Sequence, residues 1–410
     1  MKLYCDITLP ASKSESNRAL MIAAYGGFEP DFQNLSDSKD TMVLKKALSC
    51  LPIIDSRQRT NPCRKCFAFD EVNDIKGKPQ IIDIADCGTA ARFLTPYLAC
   101  HFGDWLLKGT ERMKQRPMAP LVDALRSLGA DIQYAEKVGC LPLHIQGKPI
   151  TGGKVSIDAT MSSQFVSSML LAAPLLPQGL ELELKGSLNS IPYLDMTLFM
   201  LCHFSAQAER QGMVIVVKPQ SYEYHTFVVE PDWSAASYWY EMAAFSEDCE
   251  IRLKGLCGSS ASLVNPSVQG DTVIADWMAS LGVGTFVEGE DVVLRKIPFE
   301  KHSLHFDFSN HPDLYPTLAA TCAGLGVEAQ FTGLDNLHLK ESDRVAAMQA
   351  ELAKLQETPT HFCAHGDHRI VMALAPLSML FGPVSFDHPE VVEKSYRNFW
   401  KDASFLPVKR

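Results

Sequence analysis

Six times along its length the chain runs through the same plan. A short strand leads into a polar turn rich in Ser, Asp or Thr, and an Ala/Leu/Met-rich helix follows. A second strand and a second amphipathic helix complete each unit. The first strands start near Ile7, Ile81, Val155, Phe227, Leu304 and Phe362, at spacings of roughly 74, 74, 72, 77 and 58 residues. The turns read Ser12-Lys13-Ser14-Glu15-Ser16-Asn17-Arg18, Cys87-Gly88-Thr89-Ala90-Ala91-Arg92, Met161-Ser162-Ser163-Gln164, Asp232-Trp233-Ser234, Asn310-His311-Pro312-Asp313 and Gly366-Asp367-His368-Arg369. Each sets a Ser, Thr or Asp ahead of an apolar helical run, where its side chain can accept a hydrogen bond from an unpaired amide of the first turn.

Second helices are equally legible. Leu121, Val122, Leu125 and Leu128 keep helical spacing before Gly129, and Asp271 to Leu281 before Gly282 repeats the pattern. Pro96, Pro174, Pro316 and Pro376 fall within the first-helix stretches and are expected to kink or shorten them. The reading is α/β: two domains of three βαβαββ-type repeats each, with the sixth repeat short and its last strands either missing or altered. At 410 residues the chain exceeds one ordinary core, which agrees with two domains.

A helix begins with a partial positive charge, so a Lys or Arg there costs about 0.3–1 kcal/mol. Yet Lys13, Arg18, Arg92, Arg344 and Arg369 lie within or beside the first turns of expected helices. Arg116 precedes Pro117 at another helix start, Lys340 stands just before Ser342, and Lys394 precedes the last helix. Eight such placements make sense if these N-termini grip a multiply anionic ligand. The net charge of −10 argues against nucleic acid and anionic membranes as partners, so positive charge must be concentrated locally. No G-x-x-x-x-G-K-[ST] occurs and no G-x-G-x-x-G follows a strand, which points away from nucleotides and toward a small phosphorylated ligand. Two carboxylates stand among the basic residues, Asp313 at an expected helix cap and Glu341 between Lys340 and Arg344.

The longest apolar run, Ile370 to Val384, is broken by Pro376 and Gly382 and is too short for a membrane span. The N-terminal residues have no apolar signal core, and the 12 cysteines read as reduced thiols of a cytoplasmic protein. Cys63 and Cys66 form a lone C-x-x-C with no second pair to complete a zinc site.

Several of these motifs resemble the enolpyruvyl transferases. Pro10-Ala11-Ser12-Lys13-Ser14-Glu15-Ser16-Asn17-Arg18 is similar to that family's opening phosphate-binding turn. Gly88-Thr89-Ala90-Ala91-Arg92, Glu111-Arg112-Met113-Lys114-Gln115-Arg116-Pro117, Ser162-Ser163-Gln164, Leu339-Lys340-Glu341-Ser342-Asp343-Arg344 and Asp367-His368-Arg369 resemble its 5-enolpyruvylshikimate-3-phosphate synthase branch. The matches run in order along nearly the whole chain. The resemblance implies two inside-out α/β domains with a hinge between them, residues 12–228 in one and 1–11 plus 229–410 in the other. It implies transfer of the enolpyruvyl group of phosphoenolpyruvate to the 5-hydroxyl of shikimate 3-phosphate, in a cytoplasmic monomer with no metal or organic cofactor. By resemblance, shikimate 3-phosphate would be held by Lys13, Ser14, Arg18, Ser162, Ser163, Gln164, Ser190, Asp313, Asn336 and Lys340. Phosphoenolpyruvate would be held by Lys13, Gly88, Arg116, Gln164, Arg344, Arg369 and Lys394. Asp313 would act as base and Glu341 as acid, with Lys13 assisting.

Three places depart from the family pattern: Asp86-Cys87 stands where Asn-Ala is usual, and Ala11 and Pro231 replace glycines. Two other readings stand beside this one. A UDP-N-acetylglucosamine enolpyruvyl transferase would use a loop cysteine as its acid, but no cysteine lies between Cys100 and Cys140. A non-catalytic anion-binding homologue would bind both ligands without turnover.

Overall fold

The computed structural model describes residues 1–51, 78–256, 267–357 and 359–409. The C-x-x-C of Cys63 and Cys66 lies outside them. In chain order the elements are β1 (Lys2–Ile7), α1 (Lys13–Gly26), α2 (Lys39–Ser49), β2 (Gln80–Asp83), α3 (Gly88–Cys100), β3 (Gly103–Lys108), α4 (Ala119–Ser127), β4 (Asp131–Tyr134) and β5 (Leu143–Gly147). Next come β6 (Gly153–Asp158), α5 (Ser163–Ala172), β7 (Leu180–Lys185), α6 (Ile191–His203), β8 (Ala208–Gln211) and β9 (Val214–Val217). Then follow α7 (Trp233–Phe245), β10 (Asp248–Leu253), α8 (Ile274–Ala279), β11 (Val283–Glu288), β12 (Asp291–Lys296), β13 (Leu304–Asp307), α9 (Tyr315–Leu325) and β14 (Ala329–Thr332). The chain ends with α10 (Arg344–Ala353), β15 (His361–Phe362), α11 (His368–Leu374), α12 (Ser378–Phe381), β16 (Val384–Phe386), α13 (Phe399–Asp402) and β17 (Val408–Lys409).

Two compact units share these elements. One comprises Met1–Lys13, Asn34–Lys39 and Val229–Arg410; the other comprises Ser14–Gln33 and Asp40–Val228. They are called here the C-terminal and N-terminal units.

In the N-terminal unit two sheets have the strand orders β2-β3-β5-β4 and β6-β7-β9-β8. In each, the first two strands run parallel and the remaining pairs antiparallel, which is the βαβαββ plan. Strand burial alternates, as in β7, so one face of each sheet is turned outward. The first helices are instead buried nearly all round: every residue of α3 but Cys100, and all of α5 but Gln164. A helix apolar on all sides belongs at the centre of its unit, with the sheets outside it.

The C-terminal unit repeats this arrangement. All residues of α7 and α11 are buried, and they form one core with the inner faces of the surrounding strands. The four-stranded sheet here is β1-β10-β12-β11, with β1 parallel to β10.

Three expectations need correction. No strand starts near Phe227; the place is a single bridge between Val228 and Gln33, and β1 serves as first strand to α7. Beyond β1 the first repeat contributes no sheet strand among the described residues, and residues 52–77 of that repeat lie outside them. The fifth repeat, not the sixth alone, is shortened: its sheet is the pair β13-β14, because α10 is followed almost at once by β15. The sixth keeps three parallel strands, β15-β16-β17. Finally, the helix expected from Asp271 to Leu281 starts with a 3-10 turn, Gly270–Val273, and α8 is short.

The prolines act in different ways. Pro174 and Pro376 convert the ends of α5 and α11 into 3-10 turns, Pro316 sits in the first turn of α9 where its missing N–H is harmless, and Pro96 is accommodated inside α3. Gly129 and Gly282 follow α4 and α8 with φ of 96° and 86°, a backbone that residues with a Cβ rarely adopt.

Candidate active site

In the C-terminal unit the start of α10 and the start of α11 meet around Asp313, which lies in the 3-10 turn Pro312–Leu314 ahead of α9. Arg344, the first residue of α10, is 2% exposed and touches three carboxylates. Its Nη1 donates to Asp313 Oδ1 at 2.8 Å, its Nη2 to Glu341 Oε2 at 3.0 Å, and its Nε to Asp367 Oδ2 at 2.8 Å. Arg369 Nη2 donates to Asp313 Oδ2 at 2.7 Å, and Lys340 Nζ lies 3.7 Å from Asp313 Oδ1. Asp313 is thus a carboxylate enclosed by three cations. Burial works to raise its pKa, but Arg369, Lys340 and Arg344 outweigh that and hold it well below the usual carboxylate range. Burial likewise opposes the charge on Arg344, and Asp367, Asp313 and Glu341 together push its pKa up.

Helix capping builds this cluster. Asp343 accepts from the Ala346 amide and starts α10; Asp367 accepts from the Arg369 amide and starts α11. Asp367 therefore has two tasks, as cap and as partner of Arg344. The neighbouring His368 is buried, and burial, then Lys13 and Arg369, push its pKa well below the ordinary histidine value, so it is neutral. Lys13 lies within electrostatic reach of both His368 and Asp232, the cap of α7. Asn336 opens the 3-10 turn Leu337–Leu339 that leads to Lys340, and Lys394 closes the turn Pro389–Lys394 at 3% exposure.

In the N-terminal unit Gly88, Arg92 and Arg116 are gathered at the start of α3. Arg92 Nη1 donates to the Gly88 carbonyl at 3.0 Å, and its Nη2 donates to the Pro117 carbonyl at 3.1 Å. A Cβ placed on Gly88 would lie 2.5 Å from Arg116 Nη1 and 2.8 Å from Arg92 Nη1. Glycine at 88 is what lets both guanidinium groups approach the backbone. Cys87 caps α3 through its sulfur, and Ser162 caps α5 through its hydroxyl. Ser163 is the first residue of α5, and Gln164 Nε2 donates to Thr89 Oγ1 at 3.1 Å, tying α5 to α3.

Arg18 is directed into the unit. It bonds to Thr197 Oγ1, Ser167 Oγ and the carbonyls of Ser14 and Tyr193, joining α1 to α5 and α6, and burial lowers its pKa to about 10. Ser190 precedes α6 with φ of 58°, a left-handed backbone in which its hydroxyl does not cap the helix.

The structure therefore assembles Asp313, Lys340, Glu341, Arg344 and Arg369 in one unit, and Gly88 with Arg116 in the other. Asp367 and Thr89 were not among the expected site residues, and Arg92 was expected only as one of the basic residues at helix starts, although all three lie in the motifs quoted for the family. The sequence carries a further signal: Asp83, Asp158 and Asp307 each end a first strand and accept a hydrogen bond from the amide two residues on, at 2.9, 2.8 and 3.0 Å. This recurring turn carries the chain from sheet to helix.

The chain is similar to known proteins along nearly its whole length. A 3-phosphoshikimate 1-carboxyvinyltransferase of Bacteroides fragilis (strain YCH46) is 39% identical, with 98% of this chain and 95% of that protein covered. One from Haemophilus influenzae is 33% identical over 98% of this chain and 96% of that protein. A solved EPSP synthase from Acinetobacter baumannii superposes with a TM-score of 0.69 at 19% identity, covering 98% and 96% of the two chains, which shows the shared fold. The family described as EPSP synthase (3-phosphoshikimate 1-carboxyvinyltransferase) matches residues 1–403, and the chain belongs to it.

Proposed function

We propose that the family's reaction, transfer of the enolpyruvyl group from phosphoenolpyruvate to the 5-hydroxyl of shikimate 3-phosphate, is carried out here by the two groups of residues described above. The observation that carries this assignment of roles is Asp313, a buried carboxylate held by Arg344, Arg369 and Lys340 beside the second carboxylate, Glu341.

Shikimate 3-phosphate is assigned to Lys13, Ser14, Arg18, Ser162, Ser163, Gln164, Ser190, Asp313, Asn336 and Lys340. Phosphoenolpyruvate is assigned to Lys13, Gly88, Arg116, Gln164, Arg344, Arg369 and Lys394. Guanidinium forks match the phosphate and carboxylate of phosphoenolpyruvate. Such an anion competes with Asp313 for Arg344 and Arg369. As those cations turn to the ligand, the field that depresses Asp313 weakens and its proton affinity rises toward that of a working base. Asp313 then takes the proton of the attacking 5-hydroxyl, and Glu341 donates one to C3 of phosphoenolpyruvate, with Lys13 assisting. The tetrahedral adduct then gives up a C3 proton to the Glu341 carboxylate as the C2–O bond to phosphate breaks, which restores the C2–C3 double bond, and the Arg and Lys groups stabilise the charge of the departing phosphate. No cofactor enters this scheme. The nine described cysteines are all free thiols, which fits a cytoplasmic setting, and no helix among the described residues is long and apolar enough to cross a membrane.

The test is a phosphate-release assay. Phosphate is expected only when phosphoenolpyruvate and shikimate 3-phosphate are both present, and none with UDP-N-acetylglucosamine as acceptor. Binding of both substrates without release would favour the anion-binding homologue.

A further inference from the structure

Lys13 is reached through a stretch of chain that has no helix or sheet of its own. Pro10–Ser12 lies against Glu230–Asp232, and the two stretches make one antiparallel bridge, Ala11 to Pro231. The Ser12 amide donates to the Glu230 carbonyl at 2.8 Å and the Asp232 amide to the Pro10 carbonyl at 2.9 Å. Ala11 and Pro231 therefore face each other as a non-hydrogen-bonded pair. This explains why proline is tolerated at 231: the ladder bonds fall on the residues either side, and its missing N–H is not called on. The pairing leaves the Pro231 carbonyl over, and a segment that is to fix Lys13 calls for a hold beyond this short ladder.

Gln269 supplies that hold. It is 5% exposed and stands just ahead of the 3-10 turn Gly270–Val273. Its Oε1 accepts from the Trp233 amide at 3.0 Å, the first amide of α7. Its Nε2 donates to the Pro231 carbonyl at 2.8 Å and to Glu230 Oε2 at 3.1 Å. The Gln269 amide donates to Ser267 Oγ, and that hydroxyl donates in turn to the same Glu230 oxygen. Both amide hydrogens and the amide oxygen are thus spent on the four residues 230–233, a buried polar group with its partners complete. The bonds bracket Asp232 on both sides. Asp232 in turn caps α7 by accepting from the Ser234 and Ala235 amides, and its carboxylate is the anion whose charge reaches Lys13 and Arg369.

We propose that Gln269 is a positioning residue for this enzyme: it pins Glu230–Trp233 and, through the ladder to Pro10–Ser12, fixes the backbone that presents Lys13. This rests on the reading of Lys13 as a substrate-contacting group. Gln269 itself touches neither substrate nor reacting atoms. Only an amide fits its place. Glutamate keeps the acceptor for Trp233 but loses the donors to Pro231 and sets a second carboxylate against Glu230, and leucine loses all three bonds.

Two measurements on the full-length enzyme test the proposal. In a double-mutant cycle, Gln269→Leu is expected to lower kcat/KM about tenfold with Lys13 present, and less than about twofold in a Lys13→Met background. Equal losses in both backgrounds would overturn the proposal. Hydrogen exchange of peptides spanning residues 8–14 and 229–235 is expected to speed up in Gln269→Leu and Gln269→Glu, with peptides of β2–β5 unchanged. Unaltered protection at 8–14 would also overturn it. Gln269→Glu serves where Gln269→Leu does not fold, since it preserves shape and one of the three bonds. A Lys13→Met enzyme of full activity would sink the reading of Lys13, while the exchange data would still decide whether Gln269 holds the crossover.

Discussion

Asp313 is an acid whose surroundings oppose the task assigned to it until the substrate arrives. Three cations keep it ionised and weakly basic, and the same three are the groups best suited to bind phosphate and carboxylate. Gly88 shows the same economy of space. Gly88→Ala would drive its Cβ into the Arg116 and Arg92 guanidinium groups, so the KM for phosphoenolpyruvate is expected to rise. Because Gly88 leaves room beside the assigned phosphoenolpyruvate site, the wild type is expected to be sensitive to the inhibitor glyphosate, and that sensitivity should fall in the same variant. A wild-type enzyme undisturbed at high glyphosate concentration would contradict this. Glu241 in α7 offers a residue-level test of stability. Both its carboxyl oxygens are buried without a hydrogen-bond partner, and burial raises its pKa well above the ordinary 4.5. The folded protein therefore keeps a proton that the unfolded chain gives up. Stability from this group is complete below about pH 4.5 and declines as pH rises above it, toward the raised value. Glu241→Gln should remove that decline, so that urea midpoints of variant and wild type diverge in the variant's favour as pH increases. Parallel pH profiles would show that Glu241 ionises freely in the fold.

At the scale of elements, function hangs on where helices begin. The caps Asp232, Asp343 and Asp367 start α7, α10 and α11, and the last two deliver Arg344 and Arg369 to Asp313. Asp343→Ala removes the bond to the Ala346 amide and should cost about 1 kcal/mol of unfolding free energy, most of it restored by Asp343→Asn. Chemical denaturation measures both, and equal stability of the alanine and asparagine variants would mean that the cap contributes little. Because α10 begins with Arg344, the alanine variant should also bind phosphoenolpyruvate less tightly. The positive charges that sit at the unfavourable end of these helices are stabilised by carboxylates on neighbouring elements, as Arg344 is by three.

For the whole molecule, much of the architecture could be read in advance because capping residues, helical spacing and terminal glycines are local signals. The repeat plan, the starts of α3, α5, α7 and α11, and the glycine stops after α4 and α8 all follow from them. Strand pairing is not local. Nothing near Phe227 says that β1, more than two hundred residues earlier, supplies the strand beside β10. The 58-residue spacing of the fifth repeat does hold the information that its closing hairpin is missing, although the end of the chain draws attention to the sixth repeat instead. At the site, residue types and motifs pointed to Asp313, Glu341, Arg344 and Arg369. The second task of Asp367 and the inward turn of Arg18 depend on three-dimensional neighbours that no spacing reveals. Asp313 and Glu341 are thus assigned the chemistry, and the surrounding cations the binding. Single-turnover phosphate release by Asp313→Asn and Glu341→Gln, with phosphoenolpyruvate affinity measured alongside, tests this division most directly. Release should slow by at least about a hundredfold in each. Affinity should hold, or tighten in Asp313→Asn, where Arg344 and Arg369 lose their competing carboxylate. Near-wild-type release with weakened binding would mean that the two carboxylates serve binding and not proton transfer.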